Sequence, residues 1–265
     1  MNSLERKMLD VLKKGRDSYG VVAVKAEFEA EGTRPDEFHR LLEIAQRADV
    51  KVALKIGGCE AVSDLLSTKV YGIDHVIAPM VETRYALSKY IEAKDKVHGP
   101  ENQRTQFLFN LETQTTLQNL DEMVELAKGN VDGVVFGRVD FTLSRGMPRG
   151  AVNERSITEA VLLVAHACRD ADLELVVGGS VSAEAIDALR EVRKVRLDRF
   201  ETRKIIFEGN AIETDKIVAG IANAVDFELM WLQNKRDYYM KIAKEDEPRI
   251  EMMQKRQRAS QLETV

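Results

Sequence analysis

A regular alternation constrains this chain most. Short apolar runs at residues 21–29, 52–56, 75–80, 107–112, 133–140, 174–177 and 199–207 are separated by helical patterns at 36–48, 61–70, 85–94, 117–128, 154–170 and 183–194. Strands and helices in this order build parallel βαβ units. Right-handed crossovers then bring the strand ends to one face. The 265 residues suit the roughly 250 of a (β/α)8 TIM barrel. Seven strands are clear, so one strand is expected to be irregular, near residues 102–106 or before Gly20, unless closure itself is unusual. A doubly wound open sheet competes, but no GxGxxG follows the first strand.

Beyond residue 210 the pattern changes, which divides the chain into a barrel, 1–210, and C-terminal helices, 211–265. Residues 212–242 read as one long helix with no proline and a single glycine, Gly220; Glu247-Pro248 ends it and a charged tail follows. Ile217, Ile221, Phe227, Leu229, Met230, Trp231 and Leu232 give it more apolar surface than one barrel face is expected to cover. It is either a barrel helix with a frayed extension or a helix that packs on a neighbouring subunit. The expectation is a closed homo-oligomer joined through it.

Composition excludes several classes. The chain is 44% hydrophobic and 31% charged, with a formal net charge of −5. That disfavours a general binder of nucleic acid or of anionic membranes. Two cysteines, Cys59 and Cys168, lack metal-type spacing, so a reducing cytoplasm is the expectation. The N-terminus has no long apolar signal-like segment, and no run approaches a membrane span.

The chemistry sits at the strand ends. Side chains two apart on a strand share a face. On the first strand Lys25, Glu27 and Glu29 therefore lie together, opposite Val22, Val24, Ala26 and Phe28, with Arg34 in the following loop. They form either a self-satisfied ladder or a polar site in the barrel mouth. Lys55 follows the same logic on the second strand, before Gly57 and Gly58, a pair that permits close backbone approach. It is an electrophile for a carbonyl or carboxylate, or a counter-ion for Glu112; a Schiff-base lysine would look similar. Pro79 implies a bend at the end of the third strand. Glu112 and Asp140 end two consecutive strand patterns, on either side of a single helix at 117–128. Two carboxylates at one barrel mouth suit a hard divalent cation such as Mg2+ or Mn2+; singly, each could be a helix cap. Gly178, Gly179 and Ser180 open a helix and are either an anion cradle or a tight capped turn. Glu201 and Arg203 should share one strand face, with Thr202 and Lys204 on the other; they line the mouth or form an internal ion-pair network. The four histidines show no ligand spacing.

The stretch FNLETQTTLQNLDEMVELAKGNVDGVVFGRVDFTLSRGM, residues 109–147, resembles the citrate lyase beta-subunit and hydroxy-oxo-heptanedioate aldolase family of the phosphoenolpyruvate/pyruvate barrel superfamily, and HVIAPMVET, residues 75–83, is similar to another of its segments. The resemblance implies a metal-dependent carbon–carbon lyase or aldolase. In that reading Glu112 and Asp140 hold Mg2+ or Mn2+, and a 2-oxo acid such as pyruvate forms an enolate that reacts with an aldehyde or acyl partner. The substrate would rest among Glu29, Arg34, Gly57, Gly58, Pro79, Gly137 and the 178–180 loop, with Glu201 and Arg203. The family's substrate-contacting arginine is Lys55 here, where a lysine lacks the planar fork. Its proton-transferring histidine is absent from KAEFEAEG, which leaves Lys25, Glu27 or a water to move the proton. Its proline after Gly137 is Arg138, a second candidate for stabilising negative oxygen. An enzyme on a phosphorylated or acidic sugar held at 178–180, and a non-catalytic barrel acting in assembly, are the alternatives.

Overall fold

The computed structural model describes residues 1–99 and 104–262. Its elements run α1 (Ser3–Tyr19), β1 (Val21–Glu27), α2 (Pro35–Ala48), β2 (Lys51–Lys55), α3 (Val62–Tyr71), β3 (His75–Ala78), α4 (Arg84–His98), β4 (Gln106–Leu111), α5 (Gln114–Gln118), α6 (Leu120–Ala127), β5 (Gly133–Gly137), α7 (Arg138–Ser144), α8 (Arg155–Ala171), β6 (Glu174–Gly178), α9 (Ile186–Arg193), β7 (Arg199–Glu201), β8 (Ile205–Glu208), α10 (Ile217–Glu245) and α11 (Glu247–Leu262). The eight strands close a barrel in chain order. β1 to β7 pair in parallel, whereas β8 is antiparallel to both β7 and β1.

The eighth strand was hidden inside the run 199–207. That run is a hairpin, not one strand, and Thr202-Arg203-Lys204 turns it. Three residues cannot carry a parallel crossover, which needs a dozen or more, so β8 must run backwards. The turn is held from a distance. Glu228 on α10 accepts hydrogen bonds from Thr202 Oγ1 at 2.7 Å and from the Lys204 N–H at 2.8 Å. Of the two places expected for the missing strand, residues 102–103 lie outside the described residues, and α1 precedes Gly20. Two further boundaries differ. The pattern at 117–128 divides into α5 and α6 at Asn119, whose amide donates to the Glu82 carbonyl at 2.8 Å. The run 133–140 stops at Gly137, so Asp140 stands in the first turn of α7 rather than on a strand.

One device sets the register on the N-terminal side. Asp74, Asp132 and Asp198 precede β3, β5 and β7, and each accepts an N–H from the strand before: Val52 at 2.8 Å, Phe107 at 2.6 Å and Leu175 at 2.7 Å. Inside the barrel, seven strands supply one apolar ring, Ala23, Ala53, Ile77, Leu108, Val135, Val176 and Ile206. The short β7 adds nothing to it. Its inward residues, Arg199 and Glu201, serve the two ends instead. The opposite strand faces, including Val24, Ala26 and Phe28, pack against the helices in the larger core, as the alternation predicted; Val22 instead packs against the inner ring, next to a register shift at Val21 and Ala23.

The first half of α10 packs on its own chain, chiefly against α1. Ile217, Ile221, Phe227 and Trp231 are buried there, so these four need no second subunit to cover them. Val225, Leu229 and Leu232 are exposed. A break falls at Asp246–Glu247 as expected, but the charged tail beyond it is helical. No described helix is long and apolar enough to cross a membrane.

Candidate functional site

The C-terminal end of the barrel gathers two clusters of the same composition. In one, Lys25 lies between Glu201, in close hydrogen-bonded contact, and Glu27 at 3.5 Å. In the other, Lys55 lies between Glu29 at 3.2 Å and Glu112 at 3.6 Å. Lys25, Glu27, Lys55, Glu112 and Glu201 are buried and Glu29 is half-buried. Period two places them: Lys25 and Glu27 alternate inward on β1, and Lys55 does so on β2. Two lysines against four glutamates leave a formal surplus of two negative charges, and half-buried Asp140 adds to it.

Glu112 is fixed in direction. Its Oε1 accepts the Met80 N–H at 3.0 Å and its Oε2 the Asn110 amide at 2.5 Å. Met80 follows buried Pro79 and has a left-handed backbone, φ 50°, uncommon for a non-glycine residue, which turns its N–H toward the carboxylate. Burial pushes the Glu112 pKa up; Lys55, Asn110 and Met80 oppose this and Asp140 adds to it. Burial works against the charge of Lys25, but Glu201 and Glu27 outweigh it and raise the pKa. Lys55 is likewise raised, by Glu112 and Glu29 against burial. Both lysines are therefore held as ammonium groups.

Two glycines make room for the carboxylates. A Cβ on Gly137 would stand 2.8 Å from Oε2 of Glu112, and one on Gly178 would stand 2.8 Å from Oε1 of Glu201. The two glycines are register partners on β5 and β6. Glu112 and Glu201 thus reach in from flanking strands over neighbouring positions of one floor. Three buried side-chain atoms among the described residues lack a hydrogen-bond partner: Glu29 Oε2, Asn110 Oδ1 and Glu201 Oε2. All belong to this end. Glu29 Oε2 does have Lys55 as an ion-pair partner, without hydrogen-bond geometry.

Other sequence candidates lie elsewhere. Arg138 is buried, but its guanidinium donates to the carbonyls of Gly178 at 3.3 Å and Gly179 at 2.7 Å and to Asn153 Oδ1 at 3.1 Å. Burial lowers its pKa to about 10. Arg34 is exposed and stacks on Tyr239, 4.5 Å from the ring centroid. The Gly57 N–H is taken by Asp64 at 2.7 Å, nothing lies within 4 Å of where a Cβ on Gly58 would stand, and Ser180 is exposed. Arg203 and Lys204 do not fall on opposite faces of a strand; in the turn, both pair with Glu31. Asn110 was missed, although it stands two residues before Glu112 and so on the same face.

No set of three or more His, Cys, Asp and Glu side chains among the described residues is gathered to hold a metal alone. The half-buried Asp140 carboxylate lies near enough to Glu112 to add to the rise of its pKa.

The HpcH/HpaI aldolase/citrate lyase family model matches residues 40–196, more than half of the chain. The protein belongs to this family of aldolase and lyase enzymes, in agreement with the resemblance carried by residues 109–147. An HpcH/HpaI aldolase from Desulfitobacterium hafniense DCB-2 is similar in structure, with a TM-score of 0.59 and 14% identity over 73% of this chain and 82% of that one. A family protein from Burkholderia cenocepacia J2315 also has a TM-score of 0.59, with 11% identity over 92% of this chain and 100% of that one. At such identities the likeness is one of fold. No curated protein matches in sequence.

Proposed function

We propose that this protein is a divalent-cation-dependent carbon–carbon lyase or aldolase that works through the enolate of a 2-oxo acid such as pyruvate or phosphoenolpyruvate. The observation that carries the reading is the surplus of negative charge at the C-terminal mouth, where Glu112 and Asp140 lie beside unsatisfied acceptors. These residues fit Mg2+ or Mn2+: two carboxylates, one turned into space that a Cβ on Gly137 would fill, with the other ligand positions left to water and substrate. Such an ion would supply Lewis acidity toward the carbonyl oxygen.

The chain's own residues do the rest. Asn110 and the Met80 N–H hold the Glu112 carboxylate in one orientation. Lys55, kept charged and only 3.6 Å from Glu112, sits where negative oxygen would develop, a contribution of roughly 3 kcal/mol for one donor. The raised pKa values of Lys25 and Lys55 disfavour a Schiff-base route, which needs a neutral amine. Arg138 braces the 178–179 backbone. Its hold on those carbonyls gives no support to a phosphate cradle there, and the unpartnered acceptors speak against a mouth built only for self-pairing. The second substrate is an aldehyde or acyl compound. The exposed Val225, Leu229 and Leu232 favour contact with a second copy of the chain. We place the protein in the cytoplasm.

Enolisation is directly visible. With Mn2+ or Mg2+ in deuterated water, the methyl protons of pyruvate should exchange for deuterium, followed by proton magnetic resonance. Absence of exchange across several 2-oxo acids would overturn the reading.

A further inference from the structure

The charged segment FETRK is explained by the hairpin, but its glutamate is not explained by the ion pair alone. Glu201 is 3% exposed. One oxygen is committed to Lys25; the other, Oε2, is buried without any donor. A buried carboxylate oxygen without a donor is costly. That cost is relieved when a ligand's hydrogen meets it.

Position gives this carboxylate a use, with its Oε1 beside Gly178. Glu201 lies over Gly178 and Glu112 over Gly137, and these glycines are register partners on adjacent strands, about 4.8 Å apart. A small molecule held at Glu112 and Asp140 therefore has Glu201 on its flank. Glu228 fixes the turn that follows Glu201. Lys25 holds the other oxygen, so the carboxylate cannot swing away.

We infer that Glu201 is the residue that exchanges a proton with the substrate carbon, with Lys25 as its positioning partner. The inference rests on the enolate reading above and names the group that does its acid–base work. In enolisation the C–H bond next to the carbonyl breaks and its proton goes to Glu201 Oε2. The C–H electron pair becomes the new C=C bond, and the carbonyl π pair moves onto oxygen beside Lys55. The reverse step returns the proton to carbon and restores the carboxylate. No other reactant is consumed.

The test pairs two readouts on the full chain: methyl deuterium exchange of pyruvate, and binding of Mn2+ in the presence of oxalate by electron paramagnetic resonance. Glu201→Gln should bind Mn2+ with oxalate within about threefold of the unaltered protein and lose at least a hundredfold in exchange rate, the lower range for a lost acid–base group. Should that variant not fold, Glu201→Asp keeps the pair with Lys25 and withdraws the carboxylate by one methylene. It should fold, bind and exchange at least about tenfold more slowly. Exchange near the unaltered rate in a variant that binds Mn2+ and oxalate would overturn the assignment and leave the enolate reading standing. Loss of Mn2+ and oxalate binding with the exchange would overturn it too, making Glu201 part of the architecture. An unaltered protein that binds both but exchanges nothing would sink the enolate reading and this inference together.

Discussion

The two ends of the barrel are both charged, yet they are built differently. At the N-terminal end Arg199 pairs closely with Glu174 and donates to Gln106 Oε1 at 3.3 Å and to a ring nitrogen of His75 at 2.9 Å. A cavity of about 740 Å³ opens there, lined by these residues and by Lys51, Asp74 and Asp198. Three of its five carboxylates are engaged: Asp74 and Asp198 bind backbone N–H groups and Glu174 binds Arg199, while Asp49 and Glu208 complete the lining. At the C-terminal end the glutamates outnumber the lysines, and every buried side-chain atom without a hydrogen-bond partner among the described residues is found there. Neither concavity nor net charge locates the chemistry here; buried acceptors without a donor do. The N-terminal cluster is a plug that closes the barrel, and the C-terminal one is a site that awaits a ligand.

The sharpest way to break this contrast is to remove one charge from each end. Arg199→Ala would leave Glu174 with the Gln106 amide alone, at 2.9 Å, and should cost about 1–3 kcal/mol in unfolding free energy, with Mn2+ binding by the folded fraction unaltered. Glu112→Gln should cost less than about 1 kcal/mol, since burial already disfavours its charged form. Denaturant titration of both variants checks this; equal losses would mean that both ends are structural.

A smaller effect concerns His75. Burial, with Arg199 and Lys51, lowers its pKa to about 3. The folded state thus prefers the neutral ring, whereas the unfolded ring titrates near its ordinary value of 6.5. Its contribution to stability is complete above pH 6.5 and is lost as pH falls toward 3, at up to about 1.4 kcal/mol per pH unit. His75→Gln should flatten that slope in melts between pH 6.5 and 5. An unchanged slope would show that His75 is not the proton-sensitive part of the plug.

Much of the mouth was legible because it is local. Period two puts Lys25 and Glu27 inward on β1 and Lys55 inward on β2, and a strand that runs into the barrel axis delivers Glu112 to its end. What was not legible depends on distant partners. Thr-Arg-Lys has none of the glycine, asparagine or proline that marks a hairpin turn, and its turn is fixed by Glu228, far along the chain on α10. The end of β5 was obscured because Gly133–Asp140 contains an apolar run that serves strand and helix alike. Only its packing decides where the strand stops. The pairing of Glu31 with Lys204 also joins segments that no local pattern connects.

The central claim, that the charge surplus at the C-terminal mouth belongs to a divalent cation and a chelating 2-oxo acid, is tested most directly by titrating Mn2+ into the protein with and without oxalate. Two carboxylates alone should bind weakly, and oxalate should tighten binding at least tenfold. Glu112→Gln and Asp140→Asn should each abolish that gain. In the unaltered protein, binding should also weaken as pH falls through a value above 4.5, because the Glu112 pKa is raised. No gain with oxalate, or the same gain in both variants, would contradict the account.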